Sequence, residues 1–131
     1  MRAHRPRDPR RSTIQVPGVS RATQVAIAIA EARRLGAGSV GQAFDRYRRF
    51  VLQPGRWLYL PVADCPCCDV TDARDELETA LRMLPRGPRA ELSRVIAALD
   101  DEFRRRTLPD PRTRSTSRPA DAWWHHRLHD Q

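Results

Sequence analysis

The sequence predicts a small all-α domain of four helices, with one short extended segment and a flexible basic N-terminal arm. Three observations predict it. Apolar residues recur at helical spacing in four separate stretches. Each stretch is closed by glycine, proline or both: Gly36 and Gly38, Pro54-Gly55, Pro85 with Gly87, and Pro109. Only Arg56-Trp57-Leu58-Tyr59-Leu60 has the aromatic and aliphatic density of a strand. A lone strand cannot satisfy its own backbone, so it must pair in a dimer, join a small hairpin or pack as an extended segment.

Residues 1–17 carry Arg2, Arg5, Arg7, Arg10 and Arg11 among three prolines and few apolar side chains. Such a composition predicts an arm that does not fold by itself and whose charge suits a phosphate backbone. A first helix is expected over about 21–35. Ser20 can cap it, and Ala22, Val25, Ala26, Ile29 and Ala30 supply its apolar face. Arg33 and Arg34 suit the negative end of its dipole. The second helix, about 39–52, has Val40, Phe44, Tyr47 and Val51 on one face, Ala43 and Phe50 beside it, and Arg46, Arg48 and Arg49 elsewhere. Two helices joined by a short glycine turn resemble a helix-turn-helix. A DNA-reading second helix, however, needs polar residues near its N-terminus, and only Ser39 and Gln42 qualify.

The third helix, about 71–84, opens on Asp72, Asp75 and Glu76, with Asp69 or Thr71 as its cap. Its core face is Ala73, Leu77, Ala80, Leu81 and Leu84. Pro88 suits the start of a fourth helix over about 88–107, whose stripe of Leu92, Val95, Ile96, Leu99 and Phe103 is the clearest in the chain. The short connector predicts an antiparallel hairpin of helices three and four. Residues 109–120 read as a linker with Pro109, Pro111 and Pro119. The segment 121–131 holds Trp123, Trp124, His125, His126 and His129. Two indoles seldom stay in water, so Trp123 and Trp124 are expected either to dock on the domain or to contact a protein partner.

The chain has 131 residues and a formal net charge of +8, with every basic residue an arginine. Eleven arginines face only Asp8, Glu31 and Asp45 within residues 1–55, whereas arginines and carboxylates balance over 56–131. The excess therefore sits in the N-terminal part and favours a polyanion such as nucleic acid. The expected phosphate contacts are Arg2, Arg5, Arg7, Arg10, Arg11, Arg46, Arg48 and Arg49, with Arg21 secondary. A membrane span is not expected, since the longest apolar run, Val25 to Ala30, falls far short of about 18 residues. The same run is too short for an export signal, despite Arg10-Arg11 ahead of it.

All three cysteines stand within Cys65-Pro66-Cys67-Cys68. Cys65 and Cys68 have the spacing of half a zinc knuckle, and Cys67 is a third candidate ligand. The set could be completed from His125 and His129, which share a face if the tail is helical. Clustered thiols also fit a reducing cytoplasm. The run from a strand through Cys65-Pro66-Cys67-Cys68 into a helix resembles the active-site corner of glutaredoxins, over about Leu58 to Leu84. That resemblance implies a redox nucleophile at Cys65 and a resolving thiol at Cys68. The family has further strands after this helix, where this chain has a helix and a tail. Asp64, Asp69 and Asp72 would also raise a thiol pKa. A third reading makes the cysteines small buried apolar residues. No phosphate-cradling loop or nucleophile elbow is present. The expectation is a non-enzymatic binding or adaptor protein contacting nucleic acid or another polyanion, zinc-stabilised through its cysteines. The alternatives are a subunit docking through the Trp/His tail and a thiol-disulfide redox protein.

Overall fold

The computed structural model describes residues 15–61, 70–111 and 122–129. Among them the protein is all-α: four helices and no strand ladder, with two isolated β-bridges. Helix α1 spans Arg21–Ala30 and runs on into a π-helical turn, Glu31–Leu35. Helix α2 spans Ser39–Val51, α3 Val70–Met83 and α4 Arg86–Arg106. A short 3-10 turn, Trp123–His126, lies in the tail. No described helix is long and apolar enough to cross a membrane.

Helix α2 makes its main contact with α3, while α1 lies on α4. The connection at Leu84-Pro85 folds α4 back, yet α3 and α4 touch each other less than α2 and α3 do. The expected hairpin of α3 and α4 is thus not the dominant pairing. Helix α4 begins at Arg86, ahead of Pro88, because a proline anywhere in the first turn removes only an amide that has no partner there.

Between the helices lies one core. Val40, Ala43, Phe44, Tyr47, Phe50 and Val51 of α2 meet Ala73, Leu77 and Ala80 of α3 and Leu92, Ile96, Leu99 and Phe103 of α4. Tyr47 and Phe50 pack on Phe103 with ring centroids 5.6 and 5.9 Å apart. Val16, assigned from sequence to the arm, is 1% exposed, and its carbonyl accepts from Gln24 Nε2 at 2.5 Å. The face of α1 differs from the expected one. Thr23, Ile27 and Ala30 are buried, whereas Val25 and Ile29 are 52% and 49% exposed. The reason is a polar contact that hydrophobic periodicity does not register. Glu91 of α4 accepts hydrogen bonds from Thr23 Oγ1, from Ser20 N at 2.8 Å and from Ser20 Oγ at 2.9 Å. This contact rotates Thr23 inward and Val25 outward.

Helix ends are closed from a distance. Gly38 (φ 78°) precedes α2 and has no side chain to cap it, so Glu31 supplies the acceptor, taking Val40 N–H at 2.9 Å. At the other end Arg106 donates to the carbonyls of Val51 (2.5 Å), Gln53 (2.5 Å) and Gly55 (2.6 Å). The first is one of the orphan carbonyls that a helix C-terminus leaves, and the other two belong to the turn beyond it. The extended segment is paired within the same chain. Leu58 N–H donates to Arg106 O at 2.7 Å and Leu60 N–H to Leu128 O at 3.1 Å. Leu128 N–H in turn donates to Leu108 O at 2.7 Å, and Asp110 N–H to His126 O at 2.8 Å. The tail thus lies between 58–60 and 108–110, bridging Leu60 through His129 in parallel and Pro109 through Arg127 in antiparallel.

A buried polar network joins α2, α3 and α4. Asp100 receives Tyr47 Oη at 2.5 Å and both Nε and Nη2 of Arg74, at 3.0 and 2.9 Å. Arg74 also pairs with Glu78 at 3.0 Å. Burial opposes the Arg74 charge, but the hydrogen bonds and charge of Asp100 outweigh it, and its pKa stands above the ordinary guanidinium value. The Tyr47 hydroxyl is held firmly protonated, first by burial and then by the adjacent Asp100 charge.

Two outcomes follow from these contacts. Asp100→Ala leaves Arg74 buried without its partner and should cost about 3–5 kcal/mol in urea unfolding. Tyr47→Phe, which leaves the ion pair whole, should cost only about 1–2 kcal/mol. The Glu91 carboxyl is held below its ordinary pKa, chiefly by the Thr23 hydrogen bond and then by Ser20. A lowered folded-state pKa gives stability that is complete above the unfolded value and lost as pH falls through the folded one. Thermal melts across the acid range should therefore show a shallower acid decline in Glu91→Gln than in the parent. Identical slopes would refute the assignment.

Candidate polyanion-binding pole

Helices α2 and α4 end at the same place, because Arg106 of α4 holds the carbonyls that follow α2. The last turn of α2 carries Arg48 and Arg49, and that of α4 carries Arg104, Arg105 and Arg106. Arg56 opens the extended segment that leaves this point, and Arg127 closes on it from the tail. Arg127 Nη2 donates to the carbonyls of Arg104 (3.0 Å) and Thr107 (2.8 Å), and its Nε to Thr107 Oγ1 at 2.8 Å. Seven arginines thus gather where the same stretches of chain contribute Asp45, Asp101, Glu102 and Asp110. Arg127 has a pKa below its ordinary value, first through burial and then through the Arg104 charge. The negative dipole ends of two helices, about half a charge each, offset only part of this excess.

These arginines differ in availability. Arg106 is 7% exposed and committed to backbone carbonyls. Arg49 pairs with Asp45 at 2.9 Å and Arg105 with Glu102 at 2.6 Å. Both pairs sit at the surface, where such a pair contributes only about 0–1 kcal/mol and a phosphate can replace the carboxylate. Arg104 stacks over Trp123, 4.0 Å from the ring centroid. Arg48 and Arg56 are exposed.

The residues singled out from sequence divide accordingly. Arg48 and Arg49 belong to the pole. Arg46 is half-buried on α2 and acts electrostatically on Glu76 of α3, opposing the rise that burial produces in the Glu76 pKa. Arg21 is exposed at the start of α1. Arg2, Arg5, Arg7, Arg10 and Arg11 lie outside the described residues, as do Cys65, Cys67 and Cys68. Of the two polar residues considered for reading bases, the Ser39 hydroxyl is enclosed and unbonded, while Gln42 is exposed. Sequence reasoning missed Arg56, Arg104, Arg105 and Arg127. They lie in the half of the chain whose charges cancel in sum.

The tail's aromatic and imidazole groups are used within the domain. Trp124 is 4% exposed, with Nε1 donating to Asp75 Oδ1 at 2.8 Å and the Arg74 guanidinium 4.1 Å from its ring centroid. Trp123 meets Phe103 edge-on at 5.5 Å. His125 Nε2 lies 2.7 Å from Asp75 Oδ1. The tail is not the helix that would set His125 and His129 on one face. It is a 3-10 turn to His126 and extended beyond, with His129 in the bridge to Leu60. No group of three or more His, Cys, Asp or Glu among the described residues could hold a metal ion.

Trp124→Ala should cost about 3–5 kcal/mol, as truncation of a buried large aromatic does. It should also release the tail, read as faster amide hydrogen exchange at Leu60 and Leu128. Retention of protection there would show that the backbone bridges hold the tail without the indole.

No protein-family model, curated protein or solved structure matches the chain, so the reading of this pole rests on its own residues.

Proposed function

We propose that this is a non-enzymatic binding protein that engages nucleic acid, or another polyanion, through the pole where α2 and α4 end. The single observation that carries the reading is the Arg106 clamp, which joins the ends of α2 and α4 and the start of the extended segment, stretches that carry Arg48, Arg49, Arg56, Arg104 and Arg105, with Arg127 bonded to Arg104 O. Guanidinium groups present planar pairs of donors suited to phosphate oxygens. A cluster held by helix ends fixes their positions in advance. The five arginines of residues 1–17 add charge that can follow a backbone away from the pole. A cytoplasmic location, where nucleic acid is at hand and thiols stay reduced, accords with this reading. An adaptor role through Trp123 and Trp124 gains no support, since those rings face Phe103, Arg74 and Asp75 of their own domain.

Counterion release gives the test. Affinity for a labelled oligonucleotide should fall linearly on a log–log plot against salt, with a slope of about −0.7 to −0.9 per phosphate neutralised. The double variant Arg48→Gln, Arg105→Gln should reduce that slope by about one to two while leaving the melting temperature unchanged. Binding that is absent, or indifferent to salt, would sink the proposal.

A further inference from the structure

At the same pole the surface is aromatic as well as basic. Among the described residues, four of the six large apolar side chains that stand exposed, Leu52, Trp57, Tyr59 and Leu108, belong to the segments that meet there. Trp57 and Tyr59 are 43% and 42% exposed, while the alternating Leu58 and Leu60 are 6% and 0%. Residues two apart in an extended chain share a face. The burial of Leu58 and Leu60 therefore turns both rings outward, about 6.6 Å apart along the backbone by strand geometry.

The segment that carries these rings is fixed at each point. Arg106 grips the carbonyls of Gln53 and Gly55 just ahead of it. Leu58 and Leu60 are hydrogen-bonded to Arg106 and Leu128. The Arg56 guanidinium lies 6.0 Å from the Trp57 ring centroid. Two outward rings on a held backbone, with a cation beside the first, have the composition of a base-stacking platform. Aromatic faces pair with unpaired bases, and the arginines pair with the phosphates between them.

We propose that Trp57 and Tyr59 form a stacking platform for single-stranded nucleic acid. The inference rests on the polyanion reading above and narrows it to a substrate class. Charge complementarity argues for a nucleic acid over an apolar protein surface, because the exposed Arg56 borders the Trp57 ring. Ring geometry argues for a single strand over a duplex. Paired bases are already stacked on each other and offer no free face.

The experiment uses the full chain and three probes: a labelled oligothymidine, a duplex of the same length, and heparin as a polyanion without bases. Trp57→Ala and Tyr59→Ala should each weaken oligothymidine binding by about 5- to 150-fold, the range for loss of one stacked base. Heparin binding should be unchanged and Trp57→Phe should retain most of the oligothymidine affinity. Both side chains are exposed, so melting temperatures should match the parent and separate a binding loss from a folding loss. Unaltered oligothymidine binding in both alanine variants would overturn the platform while leaving the polyanion reading intact. So would equal losses on heparin. A parent protein that binds none of the three probes would overturn both.

Discussion

Arg74 carries the constraint on which the helix arrangement depends. A guanidinium taken out of water must have its charge answered, and one carboxylate in the interior, Asp100, answers it through two hydrogen bonds. Asp100 also takes the Tyr47 hydroxyl. The positions of α2, α3 and α4 are thereby tied to one another by directional contacts as well as by area. Apolar faces alone would tolerate sliding; this network does not. The other face of the same guanidinium lies under Trp124. One side chain therefore sets the helices and receives the tail, and the ring adds attraction where the charge is already desolvated.

A second pattern is the use of distant side chains to finish helices. Glu31 serves the start of α2, Glu91 the start of α1, and Arg106 the end of α2. Each joins a helix terminus to another element, so a local need of the backbone becomes a tertiary contact. Local caps would stabilise each helix separately. Remote ones make each helix depend on a neighbour, which raises cooperativity in a domain with a modest core. The basic pole is a by-product of the same arrangement. Arg106 draws two helix ends together, and the arginines placed in those last turns to complement the dipoles are brought into one surface.

Much of the helical layout was legible because the relevant signal is periodic. The stripe Leu92, Ile96, Leu99 and Phe103 is buried, as are Val40, Phe44, Tyr47 and Val51, and Ala73, Leu77 and Ala80. The face of α1 was misread because alanine-rich periodicity is weak and the deciding contact is polar, from Thr23 to Glu91. Buried charge was invisible for a similar reason. Nothing in sequence distinguishes Arg74 and Arg106 from the other arginines, and long-range pairing alone gives them their place. The candidate site was half legible. Arg48 and Arg49 stood out in a segment with few acids. Arg104 and Arg105 were hidden in the stretch whose charges balance, and Trp57 and Tyr59 were read as parts of a strand seeking a partner. That partner is the tail, some seventy residues further along the chain, a separation no local pattern reports.

The location of the tail has a consequence for the order in which the molecule can be completed. Residues 127–129 lie between 58–60 and 108–110, so the two outer segments have no backbone partner in each other until the later one arrives. A nascent chain that has emerged only as far as Pro111 has all four helices but leaves Leu60 N–H and Leu108 O unpaired, with Arg74 lacking its indole cover. Closure of the domain is therefore a late, high-contact-order step. Helix formation and domain completion become separable events, and the interval between them is when the apolar surface that Trp123 and Trp124 cover stands open to other chains.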